Sequence, residues 1–118
     1  MKKAFICCFA VIVVLAFTGC NSETNPDVVS VSQAKNLRDG TYVQMTGSII
    51  GSLANEWYTF QDSSGIIQVE IESEVWVRAG INRTNLTFPN SFRYEIIGEV
   101  DKDRGQDTVI DVSSIKQL

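Results

Sequence analysis

At 118 residues the chain has room for one small domain and none for separate cofactor and substrate domains. It contains no histidine, which removes imidazole acid–base catalysis, the Ser-His-Asp triad and His-based metal sites. With 10 Lys+Arg against 14 Asp+Glu the net charge is −4, and setting Lys2 and Lys3 aside leaves 8 against 14, or −6; an acidic chain with no basic run is a poor nucleic-acid ligand, because phosphate neutralisation supplies most of that affinity.

Lys2 and Lys3 precede an uninterrupted apolar stretch, Ala4–Phe17. It is shorter than the ~20 residues of a membrane-spanning helix and suits the apolar core of a signal peptide. Phe17-Thr18-Gly19-Cys20 follows. It resembles the bacterial lipobox, in which small residues precede a Cys that is diacylated and becomes the mature N-terminus. Residues 1–19 are then a lipoprotein signal peptide, 20–30 a lipidated N-terminus with a flexible tether around Pro26, and 31–118 the folded domain. Cys7 and Cys8 fall in the removed part and Cys20 is the one thiol left, so no intrachain disulfide forms. Acylation consumes a thiol that is a liability in an oxidising compartment. Two or more acyl chains, at ~0.8 kcal/mol per buried methylene, anchor stably. The other reading of these residues is an ordinary secretory signal with an incidental Cys. In Gram-negative lipoproteins an Asp after the Cys commonly retains the protein at the inner membrane. Asn21 stands there instead, so the expected location is the cell envelope, at the periplasmic face of the outer membrane.

Val31, Ala34 and Leu37 have the spacing of a short helix, with Ser30 or Ser32 as N-cap. Arg38-Asp39-Gly40 is a turn. Tyr42–Ile50 alternates, with Val43, Met45, Gly47 and Ile49 on one side. Trp57–Gln61 alternates with Tyr58 and Phe60 inward, and Asp62-Ser63-Ser64-Gly65 turns it into a third strand with Ile67, Val69 and Ile71 inward. Glu74–Ala79 suits a helical turn carrying Trp76, and Gly80–Asn90 is irregular. Phe92–Asp101 forms a fourth strand with Tyr94, Ile96, Gly98 and Val100 inward, and Thr108–Ile115 a fifth with Ile110, Val112 and Ile115 inward. Trp76, Phe88 and Phe92 are expected to plug one end. Gly47 and Gly98, on inward faces, mark the bends or bulges that a small closed barrel needs. The expected architecture is all-β: a five-stranded, Greek-key barrel like the oligonucleotide/oligosaccharide-binding (OB) fold, with a short N-terminal helix.

The ordered set Ala34-Lys35 then Asp39, Val43-x-Met45-x-Gly47-x-Ile49, Tyr58-x-Phe60-x-Asp62-x-Ser64-Gly65, Val69-Glu70-Ile71, Trp76, Gly98-Glu99-Val100-Asp101-Lys102-Asp103 and Ile110-Asp111-Val112 covers nearly all of 31–115. It resembles the bacterial OB-fold (BOF) family of small periplasmic, stress-associated proteins. The resemblance implies a non-enzymatic envelope protein linked to stress tolerance that binds a small or charged ligand. It brings no agreed ligand with it.

The usual OB ligand face is made by the second and third strands and flanked by the first and last hairpin loops. Its outward residues here are Trp57, Thr59, Gln68, Glu70 and Glu72, with Tyr42 nearby, and no Lys or Arg is among them. Trp57 can stack on a sugar ring or a cation, the latter for ~0.5–2 kcal/mol. Glu70 and Glu72 can complete a site for a cationic ligand or a cell-wall glycan, and they would repel phosphate. The alternative is a solvated sheet face that blocks edge pairing. Asp101, Asp103 and Asp107 stand near the alternate positions of a calcium loop, but the Gly falls one place early and no bidentate Glu follows; a charged loop paired to Lys102 and Arg104 is the other reading. No cofactor is implied beyond a divalent cation on that loop. The second function class is an adaptor that docks on an envelope protein through Arg83–Phe92. An enzyme using Glu70/Glu72 or Asp101/Asp103 lacks the deep cleft that would raise one carboxyl pKa.

Overall fold

The computed structural model describes residues 25–118 except Gln106. The expected signal segment, its cleavage point and Cys20 therefore lie outside the described residues.

Alternating residues become strands β2 (Tyr42–Ser52), β3 (Trp57–Asp62), β4 (Gly65–Glu70), β5 (Tyr94–Asp101) and β6 (Val109–Gln117). Their apolar positions meet in one interior, where Val43, Met45, Ile49, Phe60, Val69, Ile96 and Ile110 are all buried. The strands run in the order β2-β3-β4-β6-β5, and β5 pairs back onto β2, which closes the barrel. Counted around the barrel this is 1-2-3-5-4-1, the Greek-key order of an OB fold. The hairpin pairs are antiparallel, whereas β4 and β6 meet in parallel over Gln68–Glu70 and Val109–Asp111.

Closure needs tight corners. Ile50 is the extra residue of a bulge between β2 and β3, and Ser113 that of a bulge between β5 and β6. The second bulge explains why the inward residues of β6 run Ile110, Val112, Ile115 and do not alternate strictly. Gly98 adjoins the second bulge, as expected, whereas Gly47 does not lie at the first; both sit where backbones cross closely, since a Cβ on Gly47 would strike the Gln61 carbonyl oxygen, and one on Gly98 the Asp111 carbonyl oxygen.

Ser30 caps the short helix α1 (Val31–Ala34) in a capping box with Gln33, and the helix ends earlier than the spacing suggests. Its first turn is tied to the β3–β4 turn. Val31 N donates to Asp62 Oδ2 (2.9 Å) and Ser32 N to Ser64 Oγ (2.9 Å). Burial pushes the Asp62 carboxyl up, but hydrogen bonds from Ser64, Val31 and Gly65 outweigh it and hold it below its usual value.

Three expectations are corrected. Asp27 and Val28, read as tether, form a short strand β1 parallel to β2, and Val29 N continues the pairing onto Gln44 O (3.0 Å). The fourth strand starts at Tyr94, and Phe92 is 40% exposed, so it plugs nothing. The plug is Trp76, carried by helix α2 (Ser73–Arg78) between β4 and β5, with Tyr58, Tyr94 and Phe88 around it.

Candidate functional site

Strand register assembles the outer face. Trp57 on β3 stands beside Glu70 on β4, Glu70 beside Asp111 on β6, Asp111 beside Glu99 on β5, and Glu99 beside Tyr42 on β2. The flanking Tyr58, Val69, Ile110, Val112, Val100 and Val43 are buried, so every member of this row points outward. Three acidic side chains thus stand abreast on three neighbouring strands, with an aromatic ring at each end. Like charges placed directly across strands disfavour pairing by roughly 0.2–1 kcal/mol each, so the row carries a standing electrostatic cost.

That cost is partly relieved by Arg104, from the loop between β5 and β6. Its guanidinium donates to Glu70 Oε1 (3.1 Å), pairs with Asp101 Oδ2 (3.0 Å) and lies 5.5 Å from the centre of the Trp57 ring. The expectation of a face without a basic residue is therefore corrected: a loop residue far along the chain folds over it. The Asp111 carboxyl is still pushed above its ordinary value, first by lost hydration and then by Glu70 and Asp101, with Arg104 opposing. Glu72 is pushed the same way, by lost hydration and by the carboxylates of Glu56, Glu74, Glu70 and Asp111.

The remaining expected residues divide. Thr59 and Gln68 are cross-strand neighbours, and Thr59 Oγ1 donates to Gln68 Oε1 (3.3 Å). Glu72 joins Glu70 and Glu56, with carboxylate oxygens within 4.8 Å of one another. Tyr42 is in the row but at its far end, with three strands between it and Trp57 along the row, and its hydroxyl lies 3.4 Å from Ser113 Oγ. Of the three aspartates proposed for a cation, Asp101 and Asp103 come together, but their third partner is Asp39, again with oxygens within 4.8 Å. Asp107 instead lines a different depression with Lys35, Ile66 and Thr108. Asp39 arrives because its Oδ1 accepts Lys102 N (2.7 Å), which pins the turn before β2 to the end of β5. Lys102 does not join the carboxylates; its Nζ donates to Lys35 O (3.2 Å). Asp39, Glu99, Asp101, Asp103 and Asp111 line a shallow depression of about 200 Å³.

Sequence reasoning does not single out Glu99, Asp111, Asp39 or Glu56. Alternation does make Glu99 and Asp111 outward, since their neighbours Gly98, Val100, Ile110 and Val112 are inward. Nothing local says that they stand side by side. The bulged β5–β6 register sets that pair, and the parallel β4–β6 register adds Glu70 to it.

Arg83, in the segment expected to dock, is engaged at home. It donates to Tyr58 Oη (2.7 Å), Ser52 Oγ (3.0 Å) and Leu86 O (3.2 Å) and lies over the Tyr58 and Phe88 rings at 5.1 and 4.8 Å.

Comparison with known proteins fits this architecture. Protein YgiW of Escherichia coli K12 is 36% identical over 94 residues, which covers 80% of this chain and 66% of YgiW, just under two thirds of its length. The solved structure of the hypothetical protein ygiW from E. coli superposes with a TM-score of 0.68 at 35% identity, covering 85% of this chain and 99% of that one. The calcium-regulated OB-fold protein CarO of Pseudomonas aeruginosa is 31% identical over 78 residues, 66% of this chain and 61% of that protein. The model of the family described as "Bacterial OB fold (BOF) protein" matches residues 14–117. With its barrel order, its corner glycines and this match over nearly its whole length, the chain belongs to the bacterial OB-fold (BOF) family.

Proposed function

We propose that this protein is a non-enzymatic binding module of the bacterial envelope, anchored through a lipid on Cys20, that holds a small cationic ligand on the outer face of its barrel and contributes to envelope stress tolerance. The observation that carries the reading is the row of Glu70, Asp111 and Glu99, acidic on three adjacent strands and ended by Trp57. A cation is the chemistry that such a row lacks, and an aromatic face beside it adds attraction for an organic cation or a sugar ring. The depression beside it is shallow, so it offers contact without the enclosure that would tune a general acid. The acidic surface disfavours nucleic acid.

A divalent cation on Asp39, Asp101 and Asp103 is a second reading, favoured by their converging oxygens. CarO, described as calcium-regulated, makes calcium a natural probe.

Calorimetric titration with calcium, spermidine, a muropeptide and a single-stranded oligonucleotide tests both readings. Spermidine binding is expected, and Trp57→Ala and Glu70→Gln each weaken it by about 5–30-fold, corresponding to ~1–2 kcal/mol for a lost cation–π contact or charge-assisted hydrogen bond. Affinity falls on acidification. Because lost hydration and neighbouring carboxylates raise the Asp111 and Glu72 carboxyls above their ordinary values, the loss starts at a higher pH than the same groups would give if unperturbed. Binding unaffected by either substitution, or tight, salt-sensitive oligonucleotide binding, overturns the reading. For the anchor, Cys20→Ala is expected to move the protein from the membrane to the soluble fraction; retention in the membrane fraction refutes lipidation there.

A further inference from the structure

We propose that Arg104 is a built-in competitor for the cation site: its guanidinium occupies the place between the Trp57 ring and Glu70 that a ligand's own cationic group must take, so binding requires its release. This rests on the cation-holding reading above and sharpens it to a ligand class, a guanidinium or alkylammonium compound.

Stacking on a ring and pairing with a carboxylate is how an aromatic-and-acid site recognises an organic cation. Arg104 makes both contacts from within the chain, at 5.5 Å from the Trp57 ring centre and 3.1 Å from Glu70 Oε1. Its position is therefore that of an occupant of the site.

The occupant is held loosely enough to leave. The Arg104 side chain is 40% exposed, while its partners Glu70 and Asp101 are 18% and 21% exposed, so both ion pairs are reached by solvent from the arginine side. Pairs open to solvent on one side are weakened by salt and can exchange their arginine for water or for another cation. On release, Arg104 exposes one face of Trp57 and leaves Glu70 and Asp111 side by side without the positive charge that offsets them. The site then regains its full appetite for a cation from outside. A ligand that must first displace Arg104 binds more weakly than the open site allows, by the fraction of time the site stands open.

Two tryptophans make this readable in solution. Trp76 is 1% exposed and shielded from quencher, so acrylamide quenching reports on Trp57. In the full chain in detergent micelles, Arg104→Gln is expected to raise the quenching slope about twofold, and 1 M salt, which shortens the screening length to ~3 Å, raises it in the parent protein but not in the variant. Spermidine and arginine methyl ester are expected to bind Arg104→Gln about tenfold more tightly than the parent, as removal of a competing occupant predicts. Arg104→Lys, which keeps the charge and loses the planar stack, falls between the two. An unchanged quenching slope in Arg104→Gln shows that Arg104 does not cover Trp57 and ends the proposal. A raised slope with unchanged or weaker cation binding ends it too, because Arg104 then covers the ring without competing. If neither cation binds either protein while the slope still rises, the cation-holding reading fails and only the covering contact survives.

Discussion

Trp76→Ala is expected to lower the unfolding free energy by about 3–5 kcal/mol, the usual range for truncating a buried large aromatic. Trp76 is 1% exposed and is the largest of the fully buried side chains. It meets Tyr58 and Tyr94 edge-on, with ring centres at 5.6 and 6.4 Å, and Phe88 at 6.4 Å. Removing it empties the barrel end at once and unseats Phe88, which depends on the same cluster. A domain of this size has ~5–15 kcal/mol in total, so the loss consumes a large part of it. Trp76 Nε1 is buried with no hydrogen-bond partner among the described residues, and such a donor itself costs ~1–3 kcal/mol. Trp76→Phe therefore loses volume but also relieves that donor, and is expected to cost clearly less than Trp76→Ala. Urea unfolding followed by far-UV circular dichroism measures both. A loss below about 1 kcal/mol for the alanine variant would show that α2 does not close the barrel.

Gly98→Ala is the second large effect. The residue's backbone needs no glycine for its dihedral angles, since its φ is not in the left-handed region. It needs glycine for space. An added methyl would meet the Asp111 carbonyl and, at 2.9 Å, Val112 Cα, all of it backbone in the neighbouring strand. A flexible side chain could move aside, but a paired strand beside a bulge has to shift as a unit. Overpacking of this kind costs about 1–3 kcal/mol, and occasionally more. Gly51→Ala is the matched control. A methyl there finds its nearest neighbour at 3.9 Å, and the substitution is expected to be neutral or to stabilise by up to ~1 kcal/mol through the unfolded chain. Equal effects at the two positions would refute the close-approach argument. The disturbed register at Gly98 also passes to Glu99 and Asp111, which pair next to it, so the same variant is expected to weaken cation binding.

Much of this protein is written in short-range pattern. Period-two alternation named the inward residues of β2 to β5, and of β6 as far as the bulge at Ser113, because each strand has one face on the core and one in water. Gly98 marked a bulge, and the turn residues at Asp62–Gly65 set the hairpin. The absence of histidine by itself excluded imidazole-based chemistry. What alternation could not say is which outward residues become neighbours. Trp57, Glu70, Asp111, Glu99 and Tyr42 form one row only because β4 meets β6 in parallel and β5 returns to β2, pairings between segments far apart in the chain. Arg104 reaches Trp57, and Asp39 takes the place expected of Asp107, for the same reason: both are loop residues carried to their partners by barrel closure. Local sequence decides which way a side chain points. Long-range closure decides what it meets there, and a surface site is made of such meetings.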